Sequence, residues 1–186
     1  MADAESEVPI VAGRSCAGCT LCCKIMAIVE LKKPRQTWCQ HCAVGQGCRI
    51  YAERPFECRD FYCGWLLNPN LGEHWKPLRS HMVLTWHPKD TQIQVQVDAG
   101  RLDAWRKQPY HSDIHRWAEA AAEHGGHVVV RQGADIVIVL PGGVEKNLGP
   151  IPDGKVVITN KPAGPGAKWD AIAVDPDDPR AKAAGS

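Results

Sequence analysis

Alternation of apolar and polar residues is clearest in "TQIQVQVD". There Ile93, Val95 and Val97 fall on one side and Gln92, Gln94 and Gln96 on the other. A period of two residues predicts a strand with one wet face. "HMVLTW" alternates Met82, Leu84 and Trp86 with Val83 and Thr85 and predicts a second strand. Between Ser112 and Gly125 the period changes: Ile114, Trp117, Ala118, Ala121 and Ala122 recur at helical spacing, with Ser112 as the expected N-cap and Gly125 as the stop. "HVVVRQGADIVIVL" then reads as two strands meeting in a hairpin at Gln132–Gly133, and "KVVIT" adds another. From Asp175 onward little can be buried, which predicts a disordered tail.

The first 65 residues show no such period. Glycine and proline are frequent there, as expected of loops organised around something other than an apolar core. All nine cysteines lie in this part, between Cys16 and Cys63. The expected class is α+β: a cysteine-rich, metal-binding N-terminal module packed on a small, mostly antiparallel sheet with one main helix. The expected divisions are an arm over 1–12, the cysteine module over 13–70, the α+β domain over 71–172 and the tail over 173–186.

The cysteines form two clusters. "CAGCTLCC" supplies Cys16, Cys19, Cys22 and Cys23; "CQHCAVGQGC" and "RPFECRDFYC" supply Cys39, Cys42, Cys48, Cys58 and Cys63. A spacing of two residues lets a tight turn aim two sulfurs at one ion, and Gly18 frees the backbone of the first turn. A helical path also converges, because offsets of three, six and seven residues keep the sulfurs within an arc of about 120°. From Arg14 to Arg59 eight basic residues oppose three acidic ones, a net of +5 that would offset thiolate charge. Lys32, Lys33 and Arg35 are read as a solvated face; Arg54 and Arg59, which flank Cys58, are the candidates to donate hydrogen bonds to sulfur. Trp38, Tyr51, Phe56, Phe61, Tyr62 and Trp65 supply either a small aromatic core for the module or a shield for a cluster.

Composition narrows the setting. A net charge of +1 gives no reason to expect nucleic acid or an anionic membrane as partner, and no run approaches the roughly 18 apolar residues of a membrane span. The start, "MADAESEVPIVAGRS", does not read as a signal peptide, so the expected location is cytoplasmic. In a reducing compartment dense cysteines point to metal or catalysis before disulfides, and an odd number leaves one unpaired.

"CAGCTLCC" followed by "GCRIYAERPFECRDFYC" resembles the YkgJ-type cysteine-cluster family, bacterial proteins described as zinc- or iron-chelating domains. The family pattern falls on Cys16, Cys19, Cys22, Cys23, Cys48, Ile50, Tyr51, Arg54, Pro55, Cys58, Arg59 and Phe61, within roughly residues 16 to 65. The resemblance implies metal binding. A similar module in flagellin lysine N-methylases implies a methyltransferase as an alternative, although no Gly-rich nucleotide loop follows a strand here.

The metal candidates are Cys16, Cys19, Cys22, Cys23, Cys42, Cys48, Cys58 and Cys63, with Cys39 a possible replacement. Adjacent Cys22 and Cys23 are expected to diverge, so that one serves a second ion or stays free. Soft sulfur donors select zinc or iron, including an iron–sulfur cluster. The expected function is therefore a cytosolic metal-binding protein whose other part is open to an unknown protein partner. The alternative is an enzyme, either an iron–sulfur redox carrier or the methyltransferase. His111 and His115 stand four apart on the predicted helix but lack the intervening glutamate of a zinc hydrolase, and are read as solvent-face histidines. "LPGGVEKNLGPIPDGK" lacks phosphate-loop spacing and is read as loop.

Overall fold

Residues 10–87, 92–152, 154–164 and 167–184 are described by a computed structural model. Most of the expected arm, residues 1–9, and the last two residues of the expected tail lie outside them. The chain divides into two compact units, one through Leu84 and one from Thr85.

The first unit is built from short pieces. Helix α1 (Cys22–Ile25) is followed by a two-residue hairpin, β1 (Cys42–Ala43) and β2 (Gly47–Cys48), then helices α2 (Phe56–Arg59), α3 (Gly64–Leu67) and α4 (Pro77–Ser80). It has an apolar core of its own, contrary to the expectation of loops without one: Leu21, Ile25, Trp65, Leu66, Leu71 and Trp75 are buried. These residues fall at no regular spacing, so no period announces them. Arg14 ties the entering chain to α3. Its guanidinium donates to the carbonyl oxygens of Trp65 in α3 and of Asn68 and Leu71 beyond it, and it lies over the Trp65 ring at 4.9 Å.

Strand β3 (Met82–His87) leads into a five-stranded sheet in the order β3–β4–β5–β6–β7, with β4 (Gln92–Val97), β5 (His127–Gln132), β6 (Asp135–Leu140) and β7 (Val144–Asn147). The class is α+β as expected, and β5–β6 and β6–β7 are antiparallel. β4 and β5 are parallel, joined across the sheet by the main helix α5 (Tyr110–Glu123). The hairpin at Gln132 turns through Gly133 and Ala134, with Gly133 at φ +64°, a conformation glycine adopts without penalty.

Register assigns the two faces of this sheet. Ile93 and Val95 lie beside Val128 and Val130, which pair across to Val139 and Val137, and Val139 pairs with Glu145. Glu145 meets α5 side chains, so this is the face that α5 covers with Ile114, Ala118 and Ala121. The other face carries Val129, Ile136, Ile138 and Leu140, and they pack with Ala171 of a second hairpin, β8 (Val156–Asn160) and β9 (Asp170–Val174). Lys146, on that face, pairs with Asp170 at 2.8 Å. Three layers result: helix, sheet, hairpin.

Several expectations shift. Gln96 is buried rather than wet, its amide donating to Gln94 at 3.0 Å in a row of glutamines along β4. α5 begins two residues before Ser112, whose hydroxyl donates instead to Gln108 at 2.7 Å. Its end is as expected: Gly125 sits at φ +74° while Gly126 and Gly125 donate to the carbonyls of Ala121 and Ala122. "VEKN", read as loop, is β7; it alternates weakly and becomes a strand by pairing with β6. The segment read as tail carries helix α6 (Pro179–Ala184), started by Asp178, which accepts from the Arg180 amide at 2.8 Å just ahead of Pro179. Among the described residues no helix is long and apolar enough to cross a membrane.

Candidate metal centre

All nine cysteines line one cavity of about 790 Å3 in the first unit. The backbone explains how two clusters so far apart in sequence reach it. "CAGC" makes a turn in which the Cys19 amide donates to the Cys16 carbonyl, with Gly18 at φ +70°. A side chain at Gly18 would meet the Gly45 carbonyl at 3.5 Å, so the first turn rests on the loop of the β1–β2 hairpin. The Thr20 hydroxyl accepts from the Gly45 amide, and the Cys39 amide donates to the Cys23 carbonyl, which joins the two clusters directly. Across the hairpin Cys42 pairs with Cys48 in register. From the other side, Glu57 of α2 accepts the Val29 amide at 2.8 Å, holding α2, and with it Cys58, to the turn after α1.

The sulfurs interact. Cys23 is in side-chain hydrogen-bond contact with both Cys22 and Cys42. Adjacent Cys22 and Cys23 therefore do not diverge as expected. The helical turn of α1 leaves both on the cavity wall. All nine cysteines are free thiols. The Cys22 contact first, and burial second, hold the Cys23 thiol far above its ordinary range. Burial and then Cys23 push Cys42 up to about 11, and burial pushes Cys63 up to about 11. Cys16 and Cys58 are raised by burial as well, Cys16 next by Cys19 and Cys58 next by Cys23. These thiols hold their protons at neutral pH, and a metal must displace them.

Among the described residues, no three cysteine sulfurs lie within 4.8 Å of one another. Around a single zinc ion four sulfurs stand about 3.8 Å apart, the tetrahedral edge for Zn–S bonds of about 2.3 Å. Ligands of a multi-iron cluster stand farther apart, because each binds a different iron. The donor chemistry and the volume fit several ions or one polynuclear body better than one ion.

The surrounding charges differ from expectation at Lys33 and at Arg59. Lys33, read as part of a solvated face, is buried; its ammonium donates to the carbonyls of Lys24 and Pro34, each at 3.1 Å, and to that of Met26. Burial pushes its pKa down, while Cys39, Cys23, Cys22 and Cys58 pull it back. Nothing in "LKKPR" separates Lys33 from Lys32; the Ile28–Lys33 bridge turns one inward and leaves the other exposed. Arg54 lines the cavity, stacked on Tyr51 at 3.9 Å, whereas Arg59 is exposed on α2 and does not line it. Of the aromatic residues, Trp65, Phe61 and Tyr51 line the cavity, and Trp38 and Phe56 face solvent.

No protein-family model, curated protein or solved structure matches the chain.

Proposed function

We propose that this protein is a cytoplasmic metal-binding protein of the YkgJ type, holding zinc or iron through clustered cysteine thiolates. The observation that carries the reading is the convergence of all nine cysteines, drawn from 48 residues of chain, on one cavity. Cys16, Cys19, Cys22, Cys23, Cys42, Cys48, Cys58 and Cys63 supply the donors. Cys39, buried beside Lys33, joins them as the ninth. Arg54 and Lys33 supply positive charge against the thiolates. Free thiols in this density suit the reducing cytoplasm.

An iron–sulfur redox carrier is the second reading, favoured by the spread of the sulfurs beyond the reach of a single ion. Such a cluster would supply one-electron transfer when bound. Metal analysis and X-ray absorption on anaerobically purified protein test both readings together. The expected result is at least one zinc or iron per chain with sulfur neighbours at about 2.3 Å for zinc. Visible absorbance selects the iron–sulfur form, and a colourless zinc protein removes it. Metal with no sulfur neighbours, or well below one ion per chain, overturns the proposal.

A further inference from the structure

The second unit carries a cluster of which the sequence reading saw only the two histidines and set them on a solvent face. On α5, His111 and His115 lie roughly 60° or less from Ala118, at about 100° per residue, so they continue the buried stripe toward the sheet. There β7 presents Glu145. His111 Nε2 stands 2.9 Å from Glu145 Oε1, His115 Nε2 stands 3.1 Å from the same oxygen, and the two nitrogens are 3.2 Å apart. Arg106 holds the other carboxylate oxygen at 2.6 Å, leaving Oε1 to the histidines. Trp105, wholly buried and anchored by its indole N–H on Gln132 at 2.7 Å, backs the His111 ring.

Hydrogen bonding satisfies this triangle in one arrangement only, and that one crowds two like dipoles together. Glu145 Oε1 only accepts. If both imidazoles carry a proton on Nε2, both donate to Oε1 and their N–H dipoles converge side by side with the nitrogens only 3.2 Å apart. If one carries its proton on Nδ1 instead, its bare Nε2 faces the carboxylate oxygen, lone pair to lone pair. A cation bound by all three lone pairs removes the conflict. The edges agree: adjacent ligands stand about 3.0 Å apart around an octahedral ion with bonds of about 2.1 Å, and about 3.4 Å apart around a tetrahedral one.

We propose that His111, His115 and Glu145 form a second metal site, for a divalent first-row transition ion, with coordination positions left open to water or a substrate. Two imidazoles and one carboxylate without sulfur suit Zn2+, Fe2+ or Co2+ rather than the softest ions. Three protein ligands with open positions are the arrangement of catalytic sites rather than structural ones. The side chains are a fifth to a third exposed, so solvent reaches them. Arg106, half-exposed beside the carboxylate, favours an anionic ligand at an open position. The site stands independently of the cysteine cavity.

Cobalt(II) separates the two sites on one sample, because thiolate ligation gives intense near-ultraviolet charge-transfer bands and imidazole–carboxylate ligation does not. Co2+ titrated anaerobically into the full-length metal-free protein is expected to fill one equivalent without thiolate bands. That equivalent should show two paramagnetically shifted, exchangeable imidazole N–H resonances. H111Q and H115Q should each remove one resonance, and E145Q should weaken this equivalent by roughly 100-fold or more, since even an outer hydrogen-bond partner is worth 10- to 100-fold. Thiolate bands should be unchanged in all three. The wild-type resonances decide the question even if a variant folds poorly. Their absence, with cobalt bound only through thiolates or not at all, overturns the proposal. Their presence without thiolate bands supports it and counts against the cysteine reading alone.

Discussion

The two units keep their shape by different means. From β4 to β6 the second unit is a continuous apolar sheet covered on both faces, with Val95, Val128, Val130, Ile138 and Val139 fully buried. The first unit has helices of four residues, a hairpin of two-residue strands, and a cavity of about 790 Å3 among its cysteines. Burial at about 25 cal/mol per Å2 of apolar surface suffices for the one. In the other, a smaller apolar core around Trp65 and Leu66 adjoins the cavity, and on the proposed reading an ion completes the packing.

The largest test of that contrast is removal of metal. Structural ions in small cysteine sites contribute on the order of 10 kcal/mol. Chelation should therefore abolish amide exchange protection over residues 16–63 and leave β4–β6 and α5 protected. Equal loss in both units would erase the distinction.

Acidity should separate the units next. Cys42 and Cys63 are raised from 9.0 to about 11, so the metal-free cavity holds protons that the loaded one has released. The loaded state binds fewer protons, so affinity should rise with pH, about tenfold per pH unit for each proton displaced, until these thiols ionise near 11. Calorimetry in buffers of different ionisation enthalpy counts the protons. A pH-independent affinity would show that these thiols are not the ligands.

Ile138→Ala, in the middle of β6, should cost about 2–5 kcal/mol in the second unit while metal stoichiometry stays unchanged. Denaturation followed alongside metal analysis checks both halves of that statement. Lys33→Met leaves the carbonyls of Lys24, Met26 and Pro34 without their donor, and should destabilise the loaded first unit by about 1–3 kcal/mol. The same change at Lys32, which is exposed, serves as the control. Arg59→Gln should move stability by no more than about 0.5 kcal/mol in thermal melts, because Arg59 is exposed and does not line the cavity.

The sheet was legible because its period is local: "TQIQVQVD" and "ADIVIVL" state their own conformation, and Gly125 and Gly133 mark the stops. β7 was not, since "VEKN" is a strand only by virtue of its partner β6. The parallel pairing of β4 with β5 likewise depends on where α5 lies. In the cysteine region spacing revealed the donors but not their neighbours. Lys33 faces inward through a backbone bridge that no spacing rule encodes, while Cys22 and Cys23 both reach the cavity wall because the chain is helical there. The histidine pair carried a usable signal, since it borders the buried stripe of α5. Its third member, Glu145, lies 30 residues further along the chain, and only the fold supplies it.

Lys33 has one more consequence. A divalent ion held by four thiolates leaves excess negative charge, which an exposed site would balance with salt from solution. Here a buried ammonium, fixed by three carbonyl oxygens, lies near enough to feel the charge of Cys39, Cys23, Cys22 and Cys58. If the proposed function holds, that ammonium is a built-in counter-ion, and metal affinity should be nearly indifferent to ionic strength.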